Sequence, residues 1–278
     1  MPRSVITPHR SIFAIDIIGL WKYRDLYFMY IRRDIVTQYK QTILGPLWYI
    51  IQPILTTIMY MFIFGGLAGI STDGVPQPLF YLAGILLWNY FSQCFTDCSD
   101  VFTQHANVFG KVYFPRLVVP LASCTSGLLR MLIQLLILIA VYFYYLFATE
   151  FSLSLNSSLV LFPFLVILLG VIGLSWGLIF SSLTAKYRDL KFLIQFGIQL
   201  FMYATPVIYP LSAAPEAYRA ILSLNPLTPI FEAFKYACFG CGALDWSDLL
   251  YSCIFMLSSL FLAVLVFSRT ERNFMDTV

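Results

Sequence analysis

Residues 151–185 read FSLSLNSSLVLFPFLVILLGVIGLSWGLIFSSLTA, a run of 35 residues without a charged side chain. A helix needs about 20 apolar residues to cross the hydrocarbon core of a bilayer. No water is present there to bond the backbone, so a segment of this kind must be helical. This stretch therefore predicts a membrane-spanning helix, and it decides the class of fold.

The rest of the chain has the same character. Of its 278 residues, 60% are hydrophobic and only 11% are charged, and the mean hydropathy is +0.81. An ordinary soluble domain is about 45–50% apolar and about 25% charged, so the composition excludes a water-soluble enzyme. The small net charge of +3 argues against a nucleic-acid-binding protein.

The charge-free runs predict an all-α polytopic membrane protein with six transmembrane helices. We expect these helices at about 43–66, 79–101, 117–147, 157–183, 191–209 and 249–268. Of the 17 lysines and arginines, 14 then lie on the side that holds both termini. The positive-inside rule makes that side cytoplasmic. The chain accordingly divides into a cytoplasmic N-terminus (1–40), a transmembrane domain (41–268) and a cytoplasmic tail (269–278).

Two further segments are predicted to be helical without crossing the membrane. Residues 20–36 are amphipathic and indicate an N-terminal interfacial helix lying on lipid headgroups, or alternatively a cytosolic helix that covers the bundle. On the outer side, residues 214–223 and a helix capped by Thr228 and closed by Gly240 flank an Asn225-Pro226 turn. This pattern predicts an outer re-entrant helical hairpin between the fifth and sixth spans.

Polar side chains form stripes inside three of the predicted spans. They are Tyr49, Gln52, Thr56 and Tyr60 on the first, Ser123, Ser126, Arg130 and Gln134 on the third, and Phe192, Gln195, Gln199, Tyr203 and Pro206 on the fifth. Polar groups are costly in hydrocarbon, so the stripes indicate a shared hydrophilic translocation path, or hydrogen bonding between helices. Arg130 must face a partner such as Asp97 or Asp100, a cavity, or an anionic substrate. Tyr49, Tyr60 and Tyr203 are suited to stack on sugar rings.

Catalytic signatures are missing from the sequence. Gly110-Lys111 is followed by Val112 without the upstream glycine of a phosphate-binding loop, and His9 and His105 lack metal-ligand spacing. Cys238 and Cys241 form a C-x-x-C pair that could be a disulfide or a metal pair but is more simply two unrelated thiols. We therefore expect no catalytic, cofactor-binding or metal site in this chain.

Four stretches resemble the permease subunit of type-two ABC exporters, in particular the bacterial branch that exports polysaccharide (O-antigen, capsule, teichoic acid). The most specific is Arg32–Gly65, RRDIVTQYKQTILGPLWYIIQPILTTIMYMFIFG, at the start of the first span. The others are Tyr113–Leu121 (YFPRLVVPL), Ala204–Pro210 (ATPVIYP) and Leu224–Gly240 (LNPLTPIFEAFKYACFG). The resemblance extends over essentially the whole chain.

This resemblance implies a homodimer in the bacterial cytoplasmic membrane with two separate ATPase subunits, which bind ATP and Mg. The substrate would be a polyprenyl-diphosphate-linked glycan, and helices one and five would line its path. The interfacial helix and residues 103–113 would couple to the ATPase. By role, the implied residues are Gln104, His105, Asn107, Phe109 and Lys111 for coupling; Arg32, Arg33 and Lys40 for the cytoplasmic entrance; and Pro226, Glu232 and Lys235 for the outer gate.

Two other functions remain open at this point. A drug or lipid ABC exporter permease would depend on apolar volume more than on the polar stripes. A polytopic membrane glycosyl or acyl transferase would need no ATPase, and its activity would depend on Asp97 or Asp100.

Overall fold

The structure, a computed structural model, describes residues 17–40, 43–109, 112, 114–148, 157–187 and 189–277. Within these residues the regular elements are all helical. The α-helices are α1 (Ile17–Lys22), α2 (Arg24–Tyr39), α3 (Trp48–Tyr60), α4 (Gln77–Ser99), α5 (Val101–Gln104), α6 (Ala106–Phe109), α7 (Val118–Ala148), α8 (Phe162–Lys186), α9 (Leu190–Tyr203), α10 (Glu216–Ser223), α11 (Thr228–Phe239) and α12 (Trp246–Thr277). A π-helix over Met61–Leu67 continues α3, and short 3-10 helices cover Gly45–Leu47, Ser157–Leu161 and Leu211–Ala213.

Four segments are long and apolar enough to cross a membrane: Gly45–Leu67, Val118–Ala148, Ser157–Lys186 and Trp246–Glu271. The prediction of an all-helical, multi-pass membrane protein is thereby confirmed. α4 has 23 residues but carries Asn89, Gln93 and Asp97, and neighbouring helices bury most of its surface. α9 has only 14 residues, about 21 Å of helix against a hydrocarbon core of about 30 Å.

The predicted end of the fifth helix, at residue 209, is wrong by six residues. α9 stops at Tyr203, and residues 204–210 form turns. Pro206 explains this end, because proline has no N–H to donate and its ring disfavours helical backbone at the preceding residue.

The main hydrophobic core surrounds α4, which packs against α7, α8, α9 and α11. The α4–α8 contact is close because α8 presents glycines to it. At Gly177 an added Cβ would lie 2.8 Å from the carbonyl oxygen of Phe95 and would also meet the Cβ of Cys98. The helices approach this closely only without a side chain at that position.

A second core joins the N-terminal helix to the ends of the other helices. Tyr30 and Ile31 of α2 are buried beside Phe109, Phe114 and the first turns of α7. The hydroxyl groups of Tyr27 and Thr125 are 2.5 Å apart. Tyr27 and Ile31, with Leu20 and Tyr23, form the apolar face of residues 20–36, and this face therefore packs on protein, as in the covering alternative. A different set of apolar side chains is exposed, namely Trp21, Phe28 and Met29.

The two short helices predicted on the outer side are present as α10 and α11. Gly240 closes α11 in the left-handed conformation (φ 71°), as expected for a helix C-cap. Thr228 is not the N-cap, because Leu227 holds that position and the Thr228 hydroxyl donates to the carbonyl oxygen of Leu222 (2.7 Å). Nearly all of α11 is buried, so this helix belongs to the core of the bundle.

Candidate functional site

A cavity of about 240 Å³ lies between α3, α4 and α7. Four of the residues predicted from the stripes line it: Tyr49 and Gln52 from α3, and Arg130 and Gln134 from α7. α4 contributes the rest of the polar wall with Asn89, Ser92, Gln93 and Thr96, and Tyr90, Gly127 and Met131 complete the lining. The structure thus brings two of the three predicted stripes together, and they meet an additional polar stripe on α4 that was not predicted from the sequence.

Helical spacing explains why these side chains meet. On α7, Arg130 and Gln134 are four residues apart, and on α4 the same is true of Asn89 and Gln93. Residues four apart lie on one face of a helix. The α4 stripe could therefore have been found with the criterion used for the other helices.

The Arg130 guanidinium is the charged group of the cavity wall. It lies 5.9 Å from the ring centroid of Tyr49, and its Nη2 lies 3.4 Å from the Ser126 hydroxyl. Among the described residues, no carboxylate lies within ion-pair distance of it. The two predicted partners are bound elsewhere: Asp97 accepts a hydrogen bond from Gln93 (2.6 Å), and Asp100 pairs with Lys191 (2.5 Å).

The other stripe residues lie apart from this cavity. Tyr60 donates to the Met202 sulfur (3.4 Å), and the Thr56 hydroxyl bonds the carbonyl oxygen of its own helix at Gln52. On α9, Gln195, Gln199 and Tyr203 are exposed. Within the described part of one chain, the α9 stripe therefore does not join the other two in a single channel.

The residues predicted for the cytoplasmic entrance differ in whether their cationic groups are paired within the protein. Arg33 is paired with Asp34 (2.8 Å) and lies 4.4 Å over the ring of Tyr30. Arg32 and Lys40 are exposed. Only these last two present unpaired cationic heads at this end of α2 among the described residues.

The predicted coupling residues surround the short helices α5 and α6. Gln104 is exposed, whereas Phe109 is 3% exposed and belongs to the second core. His105 packs edge-on against Tyr30, with ring centroids 5.9 Å apart. Burial, and then the Arg33 charge, lower the pKa of His105. The Asn107 side chain and the whole of Lys111 lie outside the described residues.

The three residues predicted for an outer gate, Pro226, Glu232 and Lys235, are buried and bonded to neighbouring elements, and Glu232 also lines a small cavity of about 30 Å³. The Lys235 ammonium group donates to the carbonyl oxygens of Pro206 (2.6 Å) and Tyr209 (3.2 Å) and lies 3.3 Å from the Glu232 carboxylate. The carbonyl oxygen of Pro226 accepts a hydrogen bond from Ser252 (2.8 Å). α11 is therefore tied to the turn after α9 and to α12.

The C-x-x-C cysteines, Cys238 and Cys241, are both free thiols. In the part of the chain that the structure describes, no group of three or more histidine, cysteine or acidic side chains is placed to hold a metal ion.

Comparisons with known proteins agree with this architecture. The model of the ABC-2 type transporter family matches residues 25–239. The O-antigen export system permease protein RfbA of Klebsiella pneumoniae is 29% identical over 257 residues, covering 91% of this chain and 94% of that protein. Its Myxococcus xanthus counterpart is 24% identical over 93% of this chain and 97% of its own length. The polysialic acid transport protein KpsM of Escherichia coli is 24% identical, covering 86% and 91% of the two chains.

Proposed function

Because the chain belongs to the ABC-2 type transporter family, we propose that it is the transmembrane permease subunit of an ABC exporter for lipid-linked polysaccharide, of the O-antigen or capsule type. The observation that carries this function is similarity along nearly the full length of permeases for O-antigen export and of a polysialic acid transport protein. The polar cavity in an otherwise apolar bundle supports it, because a glycan needs hydrogen-bonding groups while it crosses hydrocarbon.

In this proposal the chain crosses the bacterial cytoplasmic membrane six times, with both termini in the cytoplasm. α4 and α9 are the two spans beyond the four long apolar segments, α9 being completed by the turns that follow it. α10 and α11 form the outer re-entrant hairpin. Two copies of the chain assemble with two ATPase subunits, which hold ATP and Mg, while this chain binds no cofactor of its own.

Coupling to the ATPase is proposed at the cytoplasmic end of the bundle. The exposed Gln104, together with His105, Asn107 and Lys111, would contact the ATPase from α5–α6 and the residues that follow. Phe109 would act from within, since it anchors α6 in the second core. The exposed cations Arg32 and Lys40, with Arg33 behind them, would meet the diphosphate of the lipid-linked substrate.

The translocation path in this proposal combines the α3–α4–α7 cavity with the exposed polar face of α9. Gln195, Gln199 and Tyr203 do not meet the cavity within one chain, so α9 would complete the path by facing the second copy. The Thr228 hydroxyl links α11 to α10, whereas Lys235 and Pro226 hold this part of the chain to the turn after α9 and to α12, so the hairpin would move together with those neighbours.

Deleting this chain from its host tests the proposed function directly. We expect lipid-linked polysaccharide to accumulate on the cytoplasmic side and to disappear from the surface, with recovery when the intact chain is restored. Unchanged surface polymer would reject glycan export in favour of a drug or lipid exporter. Loss of polymer from both sides would indicate a role in synthesis, and the transferase alternative would replace the permease.

A further inference from the structure

The cavity between α3, α4 and α7 has the properties of a specific binding site and not only of a gap between helices. Its polar wall holds four side-chain amides (Gln52, Asn89, Gln93, Gln134), hydroxyl groups and the Arg130 guanidinium. Met131 and the tyrosine rings supply apolar surface. Ligand sites are commonly concave, with apolar surface and a few convergent polar groups.

The hydrogen-bonding capacity of this wall is largely unused within the protein. Asn89 bonds Gln134 at 3.4 Å, a long distance for a hydrogen bond, and Gln93 bonds Asp97 at 2.6 Å. In the described residues these are the hydrogen bonds that the four amide groups make. Each amide can donate two hydrogen bonds and accept two, so most of their donors and acceptors remain available to a ligand.

The position of the cavity places it inside the membrane. Arg130 is twelve residues from the start of α7. Asn89 is twelve residues from the start of α4, which lies at the opposite end of the bundle. Each residue is therefore about 18 Å along its helix from one end of the bundle. Both distances reach the middle of a hydrocarbon core about 30 Å thick. Tyr49 and Gln52, at the start of α3, extend the wall toward the end that we propose to be cytoplasmic.

The chemistry of the wall selects a neutral, hydroxyl-rich ligand. Amide groups both donate and accept, which matches hydroxyl groups that do the same. Tyr49 offers an aromatic surface beside Arg130 for the apolar face of a ring. The Asp97 carboxyl group, just outside the lining, accepts a hydrogen bond from Gln93, so the wall is less favourable to an anion than the Arg130 charge alone would make it.

We propose that this cavity is a binding subsite for one sugar unit of the exported polysaccharide, held within a single copy of the chain. Arg130, Asn89, Gln93 and Gln134 bond its hydroxyl groups, and Tyr49 covers one face of the ring. The subsite rests on the proposed function, and it gives the four polar residues of α4 (Asn89, Ser92, Gln93, Thr96) a place in binding one sugar unit. At the middle of the membrane, the subsite supplies the hydrogen bonds that water makes to the sugar in solution.

Photo-cross-linking in the assembled transporter, in the living host, tests contact with the glycan. The photoreactive amino acid p-benzoylphenylalanine replaces Tyr49 in the cavity, Phe147 at the exposed outer end of α7, or Tyr203 on α9. We expect an adduct with the host's own lipid-linked polysaccharide at position 49 and none at position 147. An adduct at position 203 without one at position 49, while export continues, would overturn the subsite and leave polysaccharide export intact.

A matched double substitution tests the need for the amides. Asn89→Leu with Gln134→Leu removes both partners of one hydrogen bond, so neither is left unpaired, and the apolar groups keep the volume filled. We expect about tenfold slower export at an unchanged level of the chain in the membrane, the effect of losing roughly two ligand hydrogen bonds. Ser258→Ala, on the exposed face of α12, is the control.

The outcomes separate the subsite from the proposed function. Export at the normal rate in the double variant would overturn the subsite, while the chain would remain a polysaccharide permease if its deletion still abolishes surface polymer. Slower export with no adduct at position 49 would also count against direct contact. If deletion of the whole chain leaves the surface polymer unchanged, the proposed function itself fails.

Discussion

Lys235 shows how a single charged residue can stabilise the packing of α11 on the turns after α9. Its side chain is 1% exposed and is satisfied by Glu232 and by the carbonyl oxygens of Pro206 and Tyr209. These carbonyl groups belong to the turns after α9, where Pro206 has interrupted the helix. The lysine therefore donates hydrogen bonds to backbone carbonyl oxygens that receive none from a continuing helix.

Replacing Lys235 with Met should destabilise the protein by about 3–5 kcal/mol, because the Glu232 carboxylate would stay buried without its partner. Adding Glu232→Gln should recover part of this loss. Thermal unfolding of the purified protein in detergent measures both effects. Lys186→Met, at the exposed end of α8, is the control and should leave the unfolding midpoint nearly unchanged. A Lys235→Met protein as stable as the original would contradict the role assigned to this ion pair.

At the scale of elements, a prediction was accurate where the residues of the element determine its structure by themselves, and less so where contacts with other elements determine it. The long apolar helices were predicted closely because hydrocarbon requires backbone hydrogen bonding within the segment. The sequence left two surfaces open for the apolar face of α2, lipid or the bundle, and Tyr27 and Ile31 pack on α7 and on the second core. Amphipathicity identifies an apolar face, but it does not distinguish lipid from protein as the surface that the face covers.

The contact between α4 and α8 leads to a prediction with an internal control. Gly177→Ala should destabilise the protein by about 1–3 kcal/mol, because the new Cβ would press on the backbone of α4. Gly197→Ala, on α9, has open space around its Cβ and should be neutral or stabilising by up to about 1 kcal/mol. Thermal unfolding of the two variants compares them. Equal midpoints would show that the helices can separate without cost.

At the scale of the whole molecule, charge and packing give complementary information. The asymmetry of lysine and arginine predicts the orientation, whereas the structure shows which helix faces meet. Two of the three predicted polar stripes, those of α3 and α7, converge on the cavity, where they meet an additional stripe on α4. The third predicted stripe, on α9, stays exposed. A single copy therefore presents only part of the proposed path.

Reporter fusions test the predicted orientation. Alkaline phosphatase, active only outside the cytoplasm, should be active when inserted after Asp73 or after Asp245 and inactive when fused at the C-terminus. Green fluorescent protein should give the opposite result at the C-terminus. An active phosphatase both after Asp73 and at the C-terminus would reject the six-span arrangement, whereas activity at the C-terminus alone would reverse the predicted orientation.

The sequence by itself determined the class of the protein and the resemblance to a family. Long charge-free runs leave the backbone no alternative to helix in hydrocarbon, and short motifs such as that of Arg32–Gly65 are read without coordinates. Only the tertiary structure decided which polar side chains share a cavity. It also decided that Asp100 pairs with Lys191 and that Lys235 is buried. These depend on which helices are neighbours, and periodicity within one helix does not specify the partner that its polar face meets.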